Sequence, residues 1–122
     1  MEQWMFTDKR RYPRLKVRIP ILYWGKNGSS AAYYTQDISA NGISLISNRP
    51  FKDFSRFEIN IELPQKNGSV RLISCQSMAV RTDIIHASKG VYKVGLFITK
   101  ITPADRRALA AFVNQKLKSR IW

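Results

Sequence analysis

The chain has 122 residues, 44% of them apolar, with 21 basic and 8 acidic side chains and a formal net charge of +13. The length suits one domain and the apolar fraction excludes a disordered chain, while the charge points to phosphate-bearing partners (nucleic acid, nucleotides or anionic membrane) and says nothing about fold. No apolar run reaches the roughly 18 residues of a membrane-spanning helix, and one histidine and one cysteine argue against a zinc site and an internal disulfide.

The chain opens on residues 1–8, a short tail in which Trp4-Met5-Phe6 precedes the first basic residue. A secretory leader has the opposite order, so a cytoplasmic protein is expected. Asp8 to Arg18 then holds six basic residues in eleven positions, including Arg10-x-x-x-Arg14. Pro13 lacks a backbone donor and pushes Tyr12 toward extended geometry, so these arginines are expected on a loop leading into a strand. Guanidinium groups in that setting suit an anionic planar ligand, since they form bidentate forks and stack.

Leu15, Val17, Ile19 and Ile21 alternate with polar residues and Pro20, which predicts a strand with one buried face, at an edge or with a bulge at the proline. Gly25 to Ser30 is a turn by composition, and residues 31–36 and 43–46 read as strands. Between them Asp37 to Gly42 reads as a hairpin connection, with Asn41-Gly42 tolerating positive φ and Asp37 and Ser39 near the tip. Residues 57–63 alternate cleanly, and Asn67-Gly68 is a second hairpin signal. Residues 70–82 form a long strand region with a bulge expected near Ile73 to Gln76, and residues 86–90 a turn. Residues 91–101 form a further strand, with a bulge or close approach at Gly95. Thr102 as N-cap, Pro103 and Asp105 start a helix over about 103–118, with Leu109, Phe112, Val113 and Leu117 on one face.

These elements predict a mainly β domain: a small, closed or nearly closed barrel of about six antiparallel strands with a C-terminal α-helix. The expected division is a flexible arm over residues 1–14 and a barrel over residues 15–122.

Two polar clusters break the strand pattern, Arg10-x-x-x-Arg14 and Asp37-x-Ser39-x-x-Gly42. Read singly, each has a structural explanation: solvated charges beside a strand, and a turn capped by Asp and Ser side chains. In this order, ahead of a barrel of this size, they resemble the PilZ domain family, bacterial receptor modules for cyclic di-GMP. The Val94-Gly95-Leu96-Phe97 strand and the closing helix extend the resemblance over nearly the whole chain. It implies a six-stranded split barrel, a ligand held on its outside and no catalytic activity. It also implies Arg10 and Arg14 on phosphate and guanine and the Asp37 motif around one base. Lys9 and Arg11 are neighbours of the first motif, and Lys9 leaves open whether one or two ligand molecules bind. Arg81 is a candidate for stacking on the ligand.

The chemistry agrees. Guanine presents O6 and N7 together to a guanidinium, and N1–H and N2–H to a carboxylate such as Asp37. An arginine plane stacks on a purine. Ser39 can donate or accept, and Gly42 allows close backbone approach or a φ closed to side chains. The expected ligand is cyclic di-GMP, with no further cofactor and no metal. The expected action is a conformational change on binding that signals to a separate, unidentified protein effector, since no effector module is attached. The alternative is a general nucleic-acid binder, with Tyr23, Trp24, Tyr33 and Tyr34 either as stacking platforms or as core pairs. An enzyme has no phosphate loop, triad or metal cluster to rest on, and Cys75 reads as a buried thiol.

Overall fold

The computed structural model of the chain describes residues 13–24 and 30–119. Lys9, Arg10 and Arg11, with the rest of the expected arm before Pro13, lie outside the described residues. The strands are β1 Leu15–Lys16, β2 Pro20–Trp24, β3 Ser30–Ile38, β4 Gly42–Ser47, β5 Arg56–Pro64, β6 Val70–His86 and β7 Val91–Lys100, followed by helix α1 Pro103–Ser119. All pairings are antiparallel, in the order β1-β3-β2-β5-β6-β7-β4, and β3 also pairs with β4. That last pairing closes a six-stranded barrel, with β1 as an extra short strand.

β1 and β2 are one strand interrupted on the same flank of β3. Leu15 faces Ile38, and Pro20 faces Tyr34 after the break. Thr35 fills the interruption: Ile19 N donates to its Oγ1 at 2.9 Å, and that hydroxyl donates to the Val17 carbonyl. Pro20 is the first residue of β2, and β5 pairs only from Ile21 onward. The proline therefore removes no donor from either ladder; β2 is an interior strand, and of the two expectations for Pro20, an edge or a bulge, the one-residue register shift between Lys16↔Asp37 and Pro20↔Tyr34 answers the bulge.

The period-two pattern fills the barrel. Leu15, Ile21, Ile59, Ile61, Leu63 and Ile73 are essentially inaccessible. Each such side chain contributes on the order of 1.5–3 kcal/mol by leaving water. Tyr23, Tyr33, Phe51 and Phe57 pack together, edge-on or tilted, with ring centroids 4.5–6.4 Å apart. Tyr23 and Tyr33 are partly buried and pack against the core, as the core-pair reading expected.

α1 packs Leu109, Phe112 and Val113 onto the same core. Thr102 caps it, with Asp105 N donating to Thr102 Oγ1 at 3.2 Å. The capping box is only half made, because the Asp105 carboxylate pairs with Arg71 at 2.9 Å. Arg106 Nη1 donates to the Ala40 carbonyl at 3.3 Å and so ties the helix to the β3–β4 turn. Cys75 is buried, and desolvation, then the nearby Asp105 charge, pushes its thiol up to about 12. It is an inert core thiol.

Candidate functional site

Register places the site. Lys16 pairs with Asp37, Asp37 with Ser44, Ser44 with Gly95 and Gly95 with Arg81. One row of side chains therefore crosses β1, β3, β4, β7 and β6 on the outside of the barrel. The neighbouring rows add Gly42 beside Phe97 and Lys93 beside Asp83. Arg14 precedes β1 on the face opposite buried Leu15, as alternation requires. From Asp37 to Arg81 the row lines an open cavity of about 360 Å³, with Arg14, Asp37, Ser39, Gly42 and Arg81 all on its wall. All five described residues singled out in the sequence thus meet in one place, although they come from three separate segments.

Asp37 lies in the β3 ladder and not at the hairpin tip. It is 8% exposed, with Lys93 Nζ at 4.0 Å from its Oδ2. Its carboxylate is thus partly desolvated, near the Lys93 ammonium and open to the cavity. Ser39 shapes the turn. Its Oγ donates toward Asn41 Oδ1 at 2.9 Å and the Gly42 carbonyl at 3.2 Å, and accepts from Asn41 N at 3.3 Å. A hydroxyl has one proton, so the capping role expected of a turn serine occupies most of what Ser39 offers.

Gly42 answers one of two expectations. It has no positive φ; among the described residues only Phe54, Gly68 and Gly90 do. The Asn41-Gly42 pair is therefore not the left-handed hairpin turn its composition suggested. The glycine is needed for proximity, since a Cβ there would sit 3.0 Å from the Leu96 carbonyl oxygen. Ile98 N donates to Asn41 O at 2.9 Å and draws the turn against β7.

Arg81 does not end its strand; β6 runs on to His86. The β6–β7 register shifts between Ala79 and Arg81. The cause lies on the other flank, where Phe54 N donates to Ala79 O and Ala79 N to Ser55 O. The expected bulge near Gln76 also exists, between Gln76 and Ser77, but the β5–β6 ladder stays regular there. The shift at Val80 sets Arg81 opposite Gly95, where a Cβ would touch the Arg81 Cβ at 3.7 Å. Arg81 Nε pairs with Asp83 Oδ2 at 2.8 Å, and both side chains are substantially exposed.

Sequence reading missed Ser44, Lys93, Asp83, Val80 and Phe97, which also line the cavity. Ser44 Oγ is buried and has no hydrogen-bond partner among the described residues. Its signal was hidden in the pattern, because a serine between Ile43 and Leu45 reads as an outward strand position.

Over 43 residues, 34% of this chain and 28% of the other, the sequence is 44% identical to the ribosome maturation factor RimP of Prochlorococcus marinus strain MIT 9515. The chain thus spans under a third of that curated relative. In fold it is similar to the Bacillus subtilis Inhibitor of motility (MotI/DgrA), with TM-score 0.82 and 19% identity, covering 92% of this chain and 53% of that one. It is also similar to the PilZ domain of YcgR from Escherichia coli, with TM-score 0.68 and 13% identity, covering 93% of this chain and 98% of that one. No helix among the described residues is long and apolar enough to cross a membrane. The PilZ domain family model matches residues 8–115, nearly the whole chain, from the basic stretch into the closing helix. The chain belongs to the PilZ domain family.

Proposed function

We propose that this protein is a cyclic di-GMP receptor, acting in the cytoplasm without catalysis, whose ligand-bound form engages a separate protein. The observation that carries the reading is the single cavity joining Arg14, Asp37, Ser39, Gly42 and Arg81. The YcgR domain of the same fold is a complex with c-di-GMP, which supports the choice of ligand.

Each side chain has a role that the ligand's chemistry asks for. Asp37 accepts from the N1–H and N2–H edge of one guanine, and Lys93 keeps its carboxylate compensated. Arg14 takes phosphate or the O6/N7 edge. Arg81, now paired with Asp83, supplies a plane for stacking on a purine. Gly42 keeps the β4–β7 approach close, and Ser39 holds the turn that borders the base. Ser44 offers its hydroxyl to a ligand polar atom. Arg10 is four residues from Arg14, within about 14 Å of extended chain, so Arg10, with Lys9 and Arg11, closes over the dianion. Neutralising this cluster, so that the ligand holds the residues before Pro13 as well as Arg14, is the conformational change the partner reads.

The test is calorimetric titration with cyclic di-GMP of the wild type and of Arg10→Ala, Arg14→Ala and Asp37→Ala, each checked for folding. Binding lost or weakened roughly 10- to 100-fold is expected, from ~1.5–3 kcal/mol per charged hydrogen bond. No binding by folded wild-type protein overturns the reading. Equal amide-exchange protection of residues 1–14 with and without ligand would remove the conformational change alone.

A second reading, nucleic-acid binding, draws on the +13 charge and on the local match to a protein named for ribosome maturation. It predicts affinity that falls steeply with salt and rises with oligonucleotide length.

A further inference from the structure

The barrel wall is split at one place away from the cavity. β3 and β4 pair at Ile38↔Ile43, Asp37↔Ser44 and Thr35↔Leu45, and beyond that pair no register joins them. Among the described residues, β3 pairs only with β2 from Ser30 to Tyr34, while Ile46 and Ser47 pair only with β7. The end of β4 is turned aside by Ser47, whose Oγ donates to Arg49 O at 2.7 Å and accepts from Arg49 N at 3.1 Å. The opening is a groove of about 940 Å³, whose walls include Lys16, Arg18, Tyr34, Ile46, Asn48 and Arg49. It shares no lining residue with the ligand cavity. Tyr33 also lines the groove, and its ring packs against Phe51, with centroids 5.8 Å apart.

The groove exposes a strand edge. Thr35 N donates to Ile19 O, so the main chain of Thr35 faces the β1–β2 flank. Main-chain groups alternate along a strand, so Ala32 and Tyr34 turn theirs toward the opening. The edge from Ser30 to Tyr34 is about 17 Å long at ~3.4 Å per residue, room for an extended segment of about five residues. Its lining holds three cations and, among the described residues, no acid. Arg18 lies over the Tyr34 ring, 4.1 Å from its centroid. Stacking of this kind engages the guanidinium face and leaves its N–H edge suited to a carboxylate.

We infer that this groove is a docking site for an extended acidic segment of a partner protein, which adds to β3 as a strand between β3 and β4. Main-chain bonds to Ala32 and Tyr34 supply affinity, and carboxylates against Arg18 and Arg49 supply selectivity. A strand edge recognises a peptide backbone and not a nucleic acid, and this favours a protein over an oligonucleotide in an equally basic groove. The inference stands whether or not the cavity binds cyclic di-GMP.

The test is fluorescence anisotropy of the full chain with a labelled octapeptide alternating glutamate and valine. Three further probes complete it: the same peptide N-methylated at alternate amides, a lysine-for-glutamate version, and single-stranded oligo-dT of matching charge. The plain acidic peptide is expected to bind at least tenfold tighter than the N-methylated and lysine versions. Its binding is expected to drop at least tenfold in Arg18→Glu/Arg49→Glu. Ala32→Pro removes the outward donor while the pairing of β3 with β2 keeps its bonds, and is expected to weaken the peptide similarly. If Ala32→Pro fails to fold, the N-methylated peptide decides alone. Equal binding of plain and methylated peptides overturns strand addition, and so does no binding of the octapeptide. Preference for oligo-dT, lost in the Arg18/Arg49 variant, overturns the peptide in favour of nucleic acid.

Discussion

The two halves of the barrel wall follow different rules. From Arg56↔Met78 to Pro64↔Val70, β5 and β6 pair over nine consecutive positions without a shift. Their inward residues Ile59, Ile61, Leu63 and Ile73 are completely buried. On the other half, β3–β4 shifts between Thr35 and Asp37, and β6–β7 shifts three times. The cavity lies on this irregular half. A regular ladder presents an even array of side chains; each bulge re-aims one. The shift at Val80 places Arg81 opposite Gly95, and the shift at Gln36 pairs Asp37 with Ser44. The irregular half buries inward residues just as fully, among them Ile38, Leu45 and Val94, so what distinguishes it is the candidate site on its outer face.

The sharpest way to break that division is Ile61→Ala in the regular wall. It is expected to cost ~2–5 kcal/mol, a drop in Tm on the order of 10 °C, with cyclic di-GMP affinity per folded molecule unchanged. A matching loss of affinity at temperatures where the variant stays folded would show that the two halves are not separable.

Gly42→Ala tests the junction between them. Its methyl would meet the Leu96 carbonyl at 3.0 Å, a backbone atom that gives way only if β4 and β7 part. We expect ~1–3 kcal/mol of destabilisation together with at least a tenfold loss of ligand affinity. Unchanged affinity with lowered Tm would make this glycine a packing residue only.

The same division explains what was legible in the sequence. The strands of the regular wall follow from alternation, because burial on one face leaves no other choice of period. The fold class follows from the strands, the turns at Gly68 and Gly90, and the capped helix. The cavity lining was legible where a motif or the family resemblance marks it: Arg14, Asp37, Ser39, Gly42 and Arg81. Its cross-strand neighbours Ser44, Lys93 and Asp83 were not, because register across β3, β4, β6 and β7 is set by tertiary contacts such as the hold of Phe54 and Ser55 on Ala79. The Asn41-Gly42 turn was misread for a related reason. The glycine answers a close contact with another strand, and not the local φ that its pairing with asparagine signals.

Ser44→Ala separates stability from function by sign. The Ser44 hydroxyl is buried without a partner among the described residues, a state that costs on the order of 1 kcal/mol or more. Removing it is expected to raise stability by about 1 kcal/mol in denaturant unfolding. If the hydroxyl serves the ligand, affinity falls several-fold in the same variant. A stabilised variant with wild-type affinity would leave Ser44 outside the binding set.

The smallest effect expected is at Asp83. Its ion pair with Arg81 is 2.8 Å long but exposed, with side-chain accessibilities of 76% for Arg81 and 47% for Asp83. Exposed pairs are worth about 0–1 kcal/mol, so Asp83→Asn should leave Tm nearly unchanged. It also removes an acid from the rim of a cavity proposed to hold a dianion. Affinity for cyclic di-GMP should therefore rise two- to fivefold at low salt, and the gain should fade as ionic strength passes that of ~0.15 M, where screening acts within about 8 Å. Weaker binding in Asp83→Asn would reverse the assignment. Asp83 would then be the residue that aims Arg81 at the ligand, and the bulge at Val80 would exist to set two residues of β6 instead of one.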